Sequence, residues 1–215
     1  MTVVTILRRL GLAGAAAVLA ACASTPPDHF YTLGGGGASV ATPAPAANPV
    51  YIEVMGVVVP AQVRRSQLVV SEGPGRVDLL EQHRWAAPLS DEIGRALSLK
   101  VSAELGAIDV YRTPVPAGAT TYRISTNVQR FESAPGSYAL IDATWSVRQG
   151  TTDAVLTCRS VFKEAVGPGY EALVAGHRAA LDKLGAAIAA AIREQAQRGS
   201  RTDAAVKTLA PICSR

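Results

Sequence analysis

From Leu89 onward apolar side chains return at every fourth position, at Leu89, Ile93, Leu97, Val101 and Leu105, which marks one face of an amphipathic helix. Pro88 stands at the opening position where helices tolerate proline, Asp91 and Glu92 fall in the first turn, and Gly106 supplies the stop. A second stripe, Leu173, His177, Leu181, Leu184, Ile188 and Ile192, predicts a longer helix over about 170–197, with Arg178, Asp182, Arg193 and Glu194 facing out. Between the two helices the period changes. Ala139, Ile141, Ala143, Trp145 and Val147 alternate with Asp142, Thr144, Ser146 and Arg148, a strand with one dry and one wet side. Runs over 121–131 and 154–166 flank it through Ala134-Pro135-Gly136 and Gly150-Thr151, so the three read as an antiparallel meander. Upstream, Tyr51 to Val59 is a β-branched run without alternation, stopped by Pro60, and reads as a strand covered on both faces. Shorter strands follow over 67–70, 76–81 and 108–111, with Gly73-Pro74-Gly75 as a turn. This order predicts an α/β domain: a mixed sheet, largely an antiparallel meander, with two main amphipathic helices packed on it.

The predicted domain covers residues 50–197 and is flanked by segments of other character. Arg8 and Arg9 precede an apolar run from Leu10 to about Ala21, which has the form of an export signal over 1–21. The run falls short of the about 20 apolar residues a membrane-spanning helix needs. Cys22 follows directly on Leu19-Ala20-Ala21, the pattern of a bacterial lipobox, where the thiol is acylated and becomes the first residue after cleavage. Residue 23 is Ala, not the Asp that marks retention at the inner membrane, so delivery to the outer membrane is expected. Residues 22–49, with Gly34 to Gly37 and an Ala/Pro stretch ending at Pro49, read as a tether that cannot bury a core. Phe30-Tyr31-Thr32-Leu33 interrupts it with apolar bulk. Tyr31 and Leu33 are therefore candidates to dock back onto the domain or onto a neighbouring subunit.

Charge narrows the partners. Loss of the signal removes Arg8 and Arg9, so the net charge falls from +4 to +2. The tail over 198–215 holds Arg198, Arg201, Lys207 and Arg215 against Asp203, which leaves the body close to neutral. A nucleic-acid surface would concentrate basic residues on one face of that body, and none is expected. With Cys22 committed to lipid in an oxidising compartment, Cys158 and Cys213 remain and can pair. Closing that 55-residue loop would contribute roughly 4 kcal/mol on the chain-entropy model. A buried Cys158 thiol with a separate Cys213 is the other arrangement.

Motifs for catalysis are wanting. His29, His83 and His177 show no metal-ligand spacing, and no Gly-x-Ser-x-Gly elbow is present. Gly167-Pro168-Gly169-Tyr170-Glu171-Ala172 follows a strand and opens a helix like a dinucleotide fingerprint. It has no later parallel strand with an acidic residue for the ribose, so it reads as a turn and a helix start. His177 on an apolar stripe reads as a core histidine. Arg64 and Arg65 are candidates for a partner, subunit or headgroup contact, although a lipid-surface patch usually takes four or more basic residues. The expectation is a non-enzymatic protein without cofactor or metal; a lipid-anchored hydrolase would need a nucleophile and a base brought together by folding.

Several stretches then occur in a recognisable order: Leu19-Ala20-Ala21-Cys22, Tyr31-Thr32-Leu33, Val57-Val58-Val59-Pro60, Arg65-Ser66-Gln67-Leu68-Val69-Val70, Arg84-Trp85-Ala86-Ala87-Pro88-Leu89, Phe131-Glu132 and Trp145. In this the chain resembles the PqiC/YmbA group of ABC-type transport auxiliary lipoproteins, to about residue 195. The resemblance implies an outer-membrane lipoprotein on the periplasmic face. It implies work with an MCE-domain protein that bridges the two membranes and with its inner-membrane transporter, in moving phospholipid-like molecules and keeping the envelope intact. A homo-oligomeric ring is also implied. A structural lipoprotein that scaffolds an outer-membrane assembly is the alternative. Pro60, Trp85, Pro88, Leu89, Phe131 and Trp145 are types that join sheet to helix, so they are expected in the core first and at a partner surface second.

Overall fold

The computed structural model describes residues 27–35, 49–150 and 155–199. The export signal, Cys22, most of the tether and the tail with Cys213 lie outside the described residues. Among these, eight strands and two helices form: β1 (His29–Tyr31), β2 (Tyr51–Val54), β3 (Gln67–Gly73), β4 (Arg76–Trp85), α1 (Leu89–Leu105), β5 (Ile108–Asp109), β6 (Thr121–Ala134), β7 (Tyr138–Gln149), β8 (Val155–Ala165) and α2 (Tyr170–Gly199).

The larger sheet runs β5-β2-β6-β7-β8. β6, β7 and β8 are the expected antiparallel meander, while β2 lies parallel to both β5 and β6. Ile124, Val128, Ile141, Ala143, Trp145 and Val147 share one buried cluster with the helix residues Leu97, Val101, Leu181, Leu184, Ile188 and Ile192. The apolar stripes of both helices therefore cover the dry side of the meander, as their spacing requires. Gly106 closes α1 at φ 61°, the left-handed cap that glycine enters without steric cost. Pro88 sits one position earlier than expected, as the residue before the helix, with its carbonyl accepting from the amides of Asp91 and Glu92.

Not all strands join one sheet. β1, β4 and β3 form a separate three-stranded sheet, β3 and β4 being a hairpin across Gly73 to Arg76. It packs at the ends of α2 and β7, where Val70, Leu80, Ala139, Leu173 and Tyr170 cluster. The run from Tyr51 to Val59 is also shorter as a strand than the sequence predicts. Ladder pairing stops at Val54, Gly56 is exposed, and contact with β6 resumes only as a bridge between Val58 and Asn127. Pro60 then opens a 3-10 turn, Ala61–Val63, accepting the amide of Val63 at 3.1 Å.

The wet side of β7 needs a correction. Asp142, expected in solvent, is 0 % exposed. Arg159 on β8 lies over it with two hydrogen bonds, Nε to Oδ1 at 2.8 Å and Nη2 to Oδ2 at 2.6 Å. A carboxylate can be covered in this way because its charge is met by a bidentate cation. That contact also holds the Asp142 carboxyl below its ordinary pKa.

Candidate functional site

Residues 28–34 are bound to the domain by strand pairing and by hydrogen bonds at Tyr31, Thr32 and Leu33. β1 lies parallel to β4, with His29 opposite His83, Phe30 opposite Arg84 and Tyr31 opposite Trp85. Ala86 N–H donates to the Tyr31 carbonyl at 2.7 Å, which continues the pairing past the strand. Beyond it the chain meets Glu92, in the first turn of α1 and buried. One carboxylate oxygen of Glu92 accepts from the Thr32 hydroxyl at 2.7 Å and from the Leu33 amide at 2.6 Å. Arg178 on α2 closes the other side, donating to the Thr32 carbonyl from Nε at 3.1 Å and Nη2 at 2.6 Å. Leu33 is 4 % exposed and belongs to the main core cluster.

An aromatic group completes this latch. His29 and Tyr31 stack on His83, with centroids 4.9 and 5.8 Å apart, and His83 meets Tyr170 at the start of α2 at 4.2 Å. The Tyr31 hydroxyl bonds His83 Nδ1 at 2.9 Å and lies 3.5 Å from Glu171. Burial, followed by the Glu171 charge, raises the Tyr31 phenol above its usual pKa, so the hydroxyl stays a donor. The two charged anchors each make hydrogen bonds of the charge-assisted kind, worth about 1.5–3 kcal/mol. Tyr31 and Leu33 thus contact the chain's own domain. Glu92 and Arg178 were not expected here: the first reads from sequence as a dipole partner and the second as an outward residue.

Next to the latch two of the sequence motifs pack together. Trp85, 5 % exposed, meets Phe131 edge to face at 6.0 Å, and Phe131 stacks on His177 at 3.9 Å. Leu89 is buried, Pro88 is exposed, and Trp145 is buried with its indole N–H donating to Ser160 Oγ at 3.1 Å. Arg64 and Arg65 are exposed and brace their own turn, donating to the carbonyls of Val59 and Gln62, each at 3.2 Å. Cys158 is buried on β8; Cys213 is outside the described residues.

A cleft of about 830 Å³ separates the tip of the β3–β4 hairpin from the β6–β7 turn, lined among others by Val69, Arg76, Phe131, Ser133 and Tyr138. Ser133 Oγ there lies 2.8 Å from His177 Nε2, the spacing of a nucleophile and a base. The pair is unsuited to that role. His177 is 0 % exposed and its Nδ1 has no partner, so no carboxylate would hold the imidazolium. Burial pushes its pKa down to about 3, and a base that resists its proton so strongly does not activate a serine near neutrality. Among the described residues no group of His, Cys, Asp and Glu could hold a metal ion, and no helix is long and apolar enough to cross a membrane.

Comparison with known proteins agrees with this architecture. The family model for the ABC-type transport auxiliary lipoprotein component matches residues 31–189. No curated protein matches the chain. Among solved structures, an uncharacterised protein superposes with a TM-score of 0.62 at 16 % identity, over 78 % of this chain and 99 % of its own. A Xanthomonas campestris protein of the DUF330 family does so at 0.55 and 16 % identity, over 74 % of this chain and 91 % of its own. At such identities these two structures show the shared fold. From Tyr31 in the latched segment to Ala189 on α2, the chain belongs to the ABC-type transport auxiliary lipoprotein component family.

Proposed function

We propose that the protein is a non-enzymatic lipoprotein of the outer membrane, acylated at Cys22 and facing the periplasm. It serves an ABC-type transporter by docking an MCE-domain protein that bridges the membranes, and phospholipid-like molecules move through that assembly. Family membership carries this reading. The latch supports it, because an anchored subunit that must meet a partner gains from a fixed connection between anchor and body. Crosslinking in cells followed by pull-down should recover an MCE-domain or transporter partner; recovery of neither overturns the reading. Substituting Cys22→Ser should leave an unlipidated precursor or a soluble periplasmic protein, whereas unchanged processing and fractionation would rule out the acylation site.

Assembly into a homo-oligomer belongs to the same proposal and is checked by sedimentation of the purified protein, where a monomer at all concentrations counts against it. A disulfide between Cys158 and Cys213 also belongs to the proposal. Alkylation of the denatured, unreduced mature protein should add no label to either cysteine, and two added labels would exclude the bond.

A further inference from the structure

We infer that in the anchored protein the face carrying Phe30 lies against the surface of the lipid bilayer. The inference rests on the acylation of Cys22 proposed above and on what the latch does to the intervening chain. Seven residues lead from Cys22 to His29, where β1 is fixed on β4. Extended chain covers at most about 3.6 Å per residue, so β1 stands within about 25 Å of the anchor point. Were the segment free as far as Tyr51, where β2 begins, the same limit would be about 100 Å. Docking of β1 therefore removes most of the freedom that the composition of the tether suggests.

The surface presented at that point fits a headgroup layer. Side chains alternate along a strand. His29 and Tyr31 turn towards His83, and Phe30 turns the other way, at 64 % the most exposed large apolar side chain among the described residues. Beside it, Arg84 is its register partner, with its side chain 36 % exposed and Asp28 4.0 Å from the guanidinium. A ring suited to the acyl boundary next to a guanidinium suited to phosphate is an interfacial pair. β1 is also the outer strand of its sheet, so the patch sits at a rim. Two side chains would not hold a protein to a membrane unaided; the covalent chain supplies residence and the patch supplies orientation.

The test uses the mature, lipidated protein in vesicles of phosphatidylethanolamine and phosphatidylglycerol that contain a doxyl-labelled phospholipid. The native tryptophans, Trp85 and Trp145, are buried and give a shielded background. A Phe30→Trp variant should lose most of its added emission to the lipid quencher, and a Val161→Trp variant, exposed on β8, should lose little. Equal quenching of the two variants overturns the assignment. So does a blue shift of the Phe30→Trp emission that grows with protein concentration without lipid quenching, since a second copy then covers the face. Failure of the underlying reading looks different: the mature protein shows no acyl mass, or Cys22→Ser protein still floats with the vesicles.

Discussion

Glu92 and Arg178 each hold main-chain groups of Thr32 and Leu33 with a charged side chain. Glu92→Ala leaves the Leu33 amide and the Thr32 hydroxyl without an acceptor, and Arg178→Ala leaves the Thr32 carbonyl bare. Each substitution is expected to lower stability by about 1–3 kcal/mol and to speed amide exchange over residues 29–33. Because both residues secure one short segment, the double variant should cost less than the sum of the single ones, as a double-mutant cycle in chemical denaturation would read. His177 predicts a pH dependence. Its folded pKa of about 3 lies below the ordinary 6.5, so the unfolded chain takes up the proton first. Stability from this residue is complete above about pH 6.5 and falls by about 1.4 kcal/mol per unit as pH drops towards 3. His177→Gln should flatten the thermal-unfolding profile across that window. Asp142, whose pKa is held down by Arg159, adds a loss of the same sign at the acid end.

At the scale of elements, the close approach of α2 to its neighbours depends on glycine at two places. A Cβ on Gly176 would stand 2.3 Å from Val166 Cγ1 and 3.1 Å from Ala139 Cβ, both on short, stiff side chains. On Gly185 the obstacles are Lys100 Cγ at 2.6 Å and Cβ at 3.0 Å, the inner end of a side chain whose Nζ is paired with Glu104. Gly176→Ala should destabilise by about 1–3 kcal/mol through overpacking. Gly185→Ala should destabilise as well, by less than the clash alone, since the helix gains about 1 kcal/mol in propensity while α1 is pushed away. The helices and the meander were legible in the sequence because their stripes and alternation are local patterns. Where a long-range partner decides the outcome, local pattern misleads: Asp142 reads as solvent-facing until Arg159 is placed over it, and β2 reads through to Val59 although Gly56 breaks its pairing. Phe30 to Leu33 could be read as a segment that docks, from apolar bulk in a polar stretch. What it docks on could not, because Glu92 and Arg178 follow Thr32 by 60 and 146 residues.

For the whole molecule, one side of the main sheet lies under the two helices, while the other is a polar face bearing Arg123, Arg148, Arg159 and Lys163 on its outer side chains. With the patch at Phe30 turned to a bilayer as inferred above, the helix side and this polar face both stay open to a partner. The latch also imposes an order on folding. Its strand partner is β4, but Arg178 and Tyr170 belong to α2, which follows β1 by more than a hundred residues. Contacts of such sequence separation form late, after the loop they close has been organised by other means. A chain still without α2 would therefore hold Tyr31 to Leu33 only through β4 and α1. With Cys22 acylated as proposed above, the contacts of α2 then complete the latch that limits how far the finished body stands from its anchor, so reach and completed folding are linked.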